Sequence, residues 1–472
     1  MTTEQPTTPS RGLLLIPLIV ASAFFMENLD ATVIVTALPD MARQFQLSPA
    51  RLSLGITAYM VAQAACIPAS GWLADRLGAR RVFCAAIGVF TLTSVLCGLC
   101  NSLWPFVAAR LVQGAAAALM SPVGRLVVLR TTPKADLMRA MSTIVWPALI
   151  APVIGPPLGG LFTTYASWRW IFLVNVPIGL IGMALVLRYV PQQKAETPRP
   201  FDGQGFILTA AALAALIYGL DLAGGREVDW AWTGGLLAAA LILTAAATFH
   251  LLRSSNPLMR LTPARLQTFQ VGWLHAGSLT RIGISAQPFL LPLLFQLVFG
   301  FSAFVSGLLL LSYMAGNLGM KLRTTQILRR FGFRTVLVVN GTLNALSILA
   351  CALITPAWPI PAICLLLLFS GMTRSMQFTA LSTIGFADVP PEDRSAATTL
   401  SGMTQQVGFS LGVAVAAAVL GLSEGLRHGE RLALPDFQFT LALAGFLALA
   451  SLPWLLRLPA DAGAEVSGHR GP

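Results

Sequence analysis

The chain has too little charge for a water-soluble protein. Asp, Glu, Lys and Arg make up 11% of its 472 residues, against about 25% in an ordinary soluble domain. With 56% apolar residues and a mean hydropathy of +0.73, it cannot cover a globular surface against water, whereas lipid tails can. Histidine is scarce, at four residues, and there are six cysteines: Cys66, Cys84, Cys97, Cys100, Cys351 and Cys364. All six fall within apolar runs, so neither a disulfide framework nor a His/Cys cluster with metal spacing is spelled out. Cys97 and Cys100 have redox spacing, but inside a Leu/Val/Gly run they read as small packing residues. A G-x-x-x-x-G-K-[ST] loop is missing, which argues against nucleotide hydrolysis as the energy source, and so is an H-E-x-x-H pair. No enzyme activity, cofactor or metal is expected. The first apolar run is too long for a signal peptide and lacks a small-residue cleavage site, so it reads as a retained span.

What the chain does have is fourteen apolar runs, from 13–38 to 437–456, each near the length of about 20 residues that a membrane helix needs. Pro, Gly, Asn, Asp and charged residues mark the breaks between them. The fold class expected is an all-α polytopic membrane protein. Its parts are an N-terminal tail over 1–12, a six-helix half over 13–190, an inserted helix pair over 205–252, a second six-helix half over 271–456 and a C-terminal tail over 457–472. Cationic residues test this reading, because Lys and Arg accumulate in cytoplasmic loops. With the amino terminus placed inside, the inside segments hold twenty-one Lys and Arg and the outside segments six. Both termini are then cytoplasmic, and the net charge of +12 reflects topology without any nucleic-acid partner. A weak repeat supports the two halves. Arg76-Leu77-Gly78-Ala79-Arg80 follows the second span, and Arg330-Phe331-Gly332-Phe333-Arg334 follows the tenth.

Charges inside spans are costly and therefore point to function. Glu27 and Asp30 lie three residues apart on the first span and share a helix face. Desolvation and mutual repulsion favour proton uptake by one of such a pair. The alternative is a carboxylate permanently paired with arginine. Arg110 in span four matches Asp30 in depth, and Gln113 and Gly114 share its face, the glycine permitting close helix approach. Arg125, lower in span four, either snorkels to the surface or lines a substrate cavity. Arg281 and Arg374, in spans nine and twelve, either offer fixed cations to an anionic substrate or bind carbonyls at broken helices. Asp221 sits near an outer helix end. His275, alone within a span, reads as a packing or hydrogen-bonding residue. In span five, Ala151, Gly155 and Gly159 make a close-packing stripe beside Pro152, Pro156 and Pro157, which permit a bend.

Several of these segments resemble the major facilitator superfamily. Gly71-Trp72-Leu73-Ala74-Asp75-Arg76-Leu77-Gly78-Ala79-Arg80-Arg81 is similar to its loop between helices two and three. Arg110 with Gln113-Gly114 resembles its helix-four motif, and Gly155-Pro156-Pro157-Leu158-Gly159-Gly160 the helix-five motif of its antiporters. Leu29-Asp30-Ala31-Thr32-Val33 and Ser167-Trp168-Arg169-Trp170 resemble the fourteen-span drug/proton antiporters of the EmrB and QacA type. Pro122-Val123-Gly124-Arg125, with Gly283 beside Arg281, resembles the MdtD-like branch. The resemblance implies a major facilitator fold of two six-helix halves plus two inserted helices. It also implies proton coupling through Asp30 and Arg110, with Glu27 an extra carboxylate outside the pattern. Gly71, Asp75, Arg76, Gly78 and Arg80 would form a cytoplasmic latch, and Gly155, Pro156, Gly159 and Gly160 an antiporter hinge. The second-half loop departs from this, with Arg329 where Asp75 would align.

The function expected is proton-driven export of small amphipathic molecules or drugs across the inner membrane, with protons and the lipid bilayer as the other partners. Export of an anionic metabolite or metal chelate is the alternative, because arginine outnumbers carboxylate within the spans. An inner-membrane pump subunit or a sensor is a further reading, which keeps a periplasmic adaptor open as a partner.

Overall fold

A computed structural model of the chain describes residues 15–132, 137–192, 200–223, 228–257, 259–390, 393–427 and 431–467. Among these there is no β-strand. In a bilayer the backbone must satisfy its own polar groups, and a helix does so within one segment.

Fourteen long helices follow in order. In the first half they are α1 (Leu15–Phe45), α2 (Leu54–Leu77), α3 (Ala79–Leu99), α4 (Leu103–Thr131) and α5 (Leu137–Tyr165), closed by α6 (Trp170–Tyr189). Then come α7 (Gly203–Ala223) and α8 (Trp230–Arg253). The second half is α9 (Gln267–Val298), α10 (Ala303–Phe331), α11 (Phe333–Ala352), α12 (Ile360–Ile384), α13 (Arg394–Leu426) and α14 (Leu434–Leu456). All except α5 are counted, over the described residues, as long and apolar enough to cross a membrane; α5 is 29 residues long and packs along α1. These are the fourteen runs seen in the sequence, in the same order.

The main boundary difference is at α10. The sequence reads the tenth span as 304–322, with Arg323, Arg329 and Arg330 beyond it, but the helix continues to Phe331. Cations at a helix C-terminus complement its dipole, so charge there does not end the helix. Gly332 ends it, with φ 73°, as Gly78 ends α2 with φ 92°. These are the central glycines of the two repeat segments, and only a residue without Cβ adopts that backbone readily. The repeat extends to the next contact: Arg80 donates to the carbonyl of Leu187 at the end of α6, and Arg334 to that of Leu456 at the end of α14.

Within each half, helices pair closely: α1 with α5, α2 with α4, α10 with α12, and α11 with α14. The halves meet where α5 lies on α10 and α2 on α13. The inserted α7 and α8 pack on each other, and α7 also touches α2 and α13. Its side chains Leu213, Ile217 and Leu220 fill a seam with Val61 and Ala414. The outer face of α8 presents Leu241, Ile242, Phe249 and Leu252, as expected of a lipid-facing helix. Contacts between the halves gather toward the end away from the termini. Gln296 Nε2 donates to the Thr36 carbonyl at 3.1 Å, Phe304 N donates to Thr164 Oγ1 at 3.1 Å, and the rings of Tyr165 and Phe304 meet edge to face at 5.8 Å.

Candidate functional site

The polar centre of the first half is an ion pair without exposure. Asp30 on α1 accepts from Arg110 Nη1 on α4 at 2.6 Å, and neither side chain is exposed. The α2–α4 packing makes this possible. A Cβ at Gly114 would stand 2.2 Å from the carbonyl oxygen of Tyr59, so only glycine lets the two backbones approach, and Tyr59 then lies 4.3 Å beneath the Arg110 guanidinium. Asp30 Oδ1 also accepts from Gln113 Nε2 at 3.2 Å and from Asn175 Nδ2 at 3.1 Å. Gln113 in turn accepts from Arg110 at 2.6 Å and donates to Ser94 at 2.9 Å. Five helices of the half therefore meet at one carboxylate and one guanidinium. A buried pair is retained only if its remaining donors and acceptors are satisfied, and this network supplies most of those partners. Ser94 and Tyr59 were not singled out in the sequence, since an uncharged polar residue in a span carries no strong signal there.

Glu27 lies one turn away and has different company. Its Oε1 accepts from Gln63 Nε2 on α2 at 2.7 Å and its Oε2 from Ser121 Oγ on α4 at 2.6 Å. Both donors are neutral. No arginine bonds to it, although Arg125 is near enough for its charge to act on the carboxylate. Gln63 also accepts from Gln406 Nε2 on α13, in the other half. The two carboxylates thus share a helix face, as the spacing predicted, but not a partner set.

Arg125 itself is exposed, its guanidinium 5.7 Å from the Phe24 ring. Arg281 on α9 is 1% exposed. It donates to the Gly272 carbonyl at 3.0 Å and to Ser382 Oγ at 3.4 Å, and stacks 4.2 Å from Trp273. Gly272 lies in the π-helical stretch Gln270–Leu274, where carbonyls are released from the regular ladder. Of the two sequence readings of Arg281, the carbonyl contact is therefore present. Its Nε has no partner among the described residues. Arg374 is half-buried and lies 5.5 Å from the Tyr313 ring. His275 stacks on Trp454 at 4.5 Å, a packing role. The Asp221 side chain and the segments 1–14 and 468–472 lie outside the described residues.

Among the latch residues, Asp75 accepts from Arg130 at 3.0 Å, Arg76 lies over Trp72, Arg80 and Gly78 hold the turn described above, and Gly71 has open space beside it. Among the hinge residues, Gly155 and Gly159 face Thr32, Val33 and Thr36 of α1, while Gly160 faces Ala303 and Phe304 of α10. A Cβ at Gly160 would fall 2.3 Å from the Ala303 carbonyl, and one at Gly307 would fall 2.3 Å from that of Pro156. One helix thus makes close approaches both within its half and between halves.

Two six-helix halves with an inserted pair, and a polar centre buried within the first half, define a secondary-transporter fold. The sequence profile of the Major Facilitator Superfamily matches residues 20–413 and 276–470, and the chain belongs to that superfamily. It is 40% identical over 406 residues to the MdtD protein of Serratia proteamaculans (strain 568), covering 85% of this chain and 84% of that one. It is 37% identical to MdtD of Klebsiella pneumoniae (strain 342), covering 94% of each. These relatives are named for multidrug resistance, and the chain is an MdtD-like membrane transporter. Among solved structures, a D-xylose-proton symporter aligns with a TM-score of 0.64 at 14% identity, over 92% of this chain and 96% of that one. The nucleoside transporter NupG aligns with a TM-score of 0.61 at 14% identity, over 95% and 100%. At that identity they bear on the fold alone.

Proposed function

We propose that this transporter is a proton-driven exporter of small amphipathic molecules, with Glu27 as the proton carrier and the Asp30–Arg110 pair as a fixed electrostatic centre. The observation that carries this reading is the sorting of the two carboxylates. Asp30 is neutralised by Arg110 at 2.6 Å, whereas Glu27 is held by neutral donors only. A carboxylate bound to an arginine keeps its charge through a cycle, while one held by an amide and a hydroxyl is free to exchange a proton for cargo. Arg110 anchors the pair to α4, and the Ala151, Gly155 and Gly159 face of α5 lets α1 move against it. With the termini in the cytoplasm of an inner-membrane protein, the closed end faces outward. The membrane potential then supplies about 2.3 kcal/mol per charge per 100 mV. The Asp75–Arg130 contact would hold the cytoplasmic end of the first half in shape during the swing.

The test is uphill export of a lipophilic dye cation from proteoliposomes with an imposed pH gradient. Wild-type protein should accumulate the dye in an uncoupler-sensitive way, and Glu27→Gln should retain exchange but not accumulation. If Glu27→Gln still drives accumulation that an uncoupler collapses, the assignment is wrong. A second reading, export of an anionic metabolite or chelate, is favoured by one observation. The buried Arg281 has no carboxylate partner among the described residues. Substituting an organic carboxylate for the dye in the same vesicles separates the two. Transport by the purified chain alone would argue against a need for an adaptor.

A further inference from the structure

We infer that Gln63 and Gln406 form a hydrogen-bond relay that carries the charge state of Glu27 across to the second half, with Gln406 the positioning residue through which protonation biases the meeting of the halves. The relay rests on the proton-carrier role given to Glu27 above. The geometry is a chain of three groups on three helices. Glu27 Oε1 accepts from Gln63 Nε2 at 2.7 Å, and the other end of the same amide, Gln63 Oε1, accepts from Gln406 Nε2. Glu27 and Gln63 are buried, at 8% and 7% exposure, and Gln406 is half-buried. The pair sits on the α2–α13 seam between the halves, where Ser410 Oγ also reaches the Thr57 carbonyl at 3.5 Å.

The direction of every bond follows from chemistry. An ionised carboxylate only accepts, so Gln63 must turn its NH2 toward Glu27, which leaves its carbonyl for α13, and Gln406 must answer with its own NH2. When Glu27 takes up a proton, two things change. The bond from Gln63 loses its charge assistance, which roughly halves its strength. If the new hydrogen lies on Oε1, Gln63 has to present its carbonyl to Glu27 and its NH2 to Gln406. Two donors then face each other unless Gln406 also turns. Glu27 and Gln63 are buried, so an unpaired amide there is costly and the contact across the halves is weakened or rebuilt. By linkage, a proton that favours one arrangement of the halves is itself held more tightly in that arrangement.

Other ionisable groups around Glu27 do not supply this link. Asp30 is on the same helix and Arg125 on α4. Tyr59 on α2 lies within reach of Glu27, Asp30 and Arg110. From α5 and α6 none of the described ionisable side chains acts on it. From α13 the neutral Gln406 amide reaches Gln63, and Arg281 of α9 packs farther along α13, against Gly408.

The test reads the closed end directly and needs no cargo. Hydrogen exchange of the full-length chain in detergent is followed at segments 156–164 and 302–307, at about pH 6 and about pH 8.5, after correction for intrinsic exchange. Wild type should change protection between the two by about tenfold, the equivalent of one pKa unit of linkage. Glu27→Gln should abolish the change. Gln406→Met keeps the volume without the amide, and should cut the change to less than about a third while other segments exchange as in wild type. Gln406→Glu donates only when protonated, so its response should be steeper than wild type. A wild-type response in Gln406→Met, or a response in Gln406→Glu no steeper than wild type, beside a flat Glu27→Gln, overturns the relay and leaves the proton-carrier role standing. A wild-type response in Glu27→Gln overturns that role and the relay with it.

Discussion

Tyr59 and Tyr313 occupy matching places in the two halves, and what surrounds them differs in charge. Gly114 brings α4 against the carbonyl of Tyr59, and Gly371 brings α12 against that of Tyr313, where a Cβ would stand 1.9 Å away. Counting from these glycines, Gln113 matches Ser370 and Arg110 matches Leu367. Asp30 finds its counterpart in Gln287, which bonds Ser370 at 2.9 Å and accepts from Tyr313 at 3.3 Å. Even the thiols agree: Cys97 lies 3.7 Å from Gln113 and Cys351 lies 3.4 Å from Gln287. Ser347 bonds Ser370 at 3.1 Å, as Ser94 bonds Gln113. The two clusters share one architecture. In the first half it encloses an ion pair, and in the second a neutral amide–hydroxyl network. Among the described residues, the second cluster is thus packed without an ion pair. On the function proposed above, the ions of the first half serve coupling, while the second half has the scaffold without an ion pair.

The sharpest way to break this comparison is to remove one ion. Arg110→Leu leaves Asp30 buried without its cation and should cost about 3–5 kcal/mol, read as a fall in thermal unfolding temperature in detergent. Asp30→Gln combined with Arg110→Leu gives the first half the chemistry of the second. It should recover most of that stability while uphill transport stays abolished. Recovery of transport with stability would show that the ions are structural. Next in size, Gly114→Val and Gly371→Val should each cost about 1–3 kcal/mol through overpacking against a tyrosine carbonyl, and the two losses should be similar if the scaffolds are equivalent. Gln287→Leu strips the neutral cluster of its central amide. A loss of about 1–2 kcal/mol is expected, with the pH dependence of dye export unchanged. The smallest stability effect, under about 1 kcal/mol, is expected for Glu27→Gln, because the amide oxygen can accept from Gln63 while its NH2 donates to the Ser121 hydroxyl, which can turn to accept. That variant should nonetheless show the largest loss of pH response.

Much of the candidate site was legible along the chain. Asp30, Glu27 and Arg110 stood out because charge in a span is costly, and equal depth paired Asp30 with Arg110. The glycine at 114 and the stripe at 155 and 159 announced close approach, and the structure shows which backbone fills each gap. Gln63, Ser121 and Gln406 did not stand out. A lone amide or hydroxyl in an apolar helix is common, and its meaning depends on which helix faces it.

The sequence by itself determined the fourteen helices, the repeat that relates the halves, and the positions where charge had to be justified. These are properties of hydropathy, spacing and the cost of ions in lipid, which act locally or along one helix. Only the tertiary structure decided that two carboxylates on one face have different fates, one locked to arginine and one held by neutral donors. It also decided that an amide from the far half reaches the second of them. Those outcomes depend on contacts between residues up to several hundred positions apart, where helix packing places groups that no periodicity records.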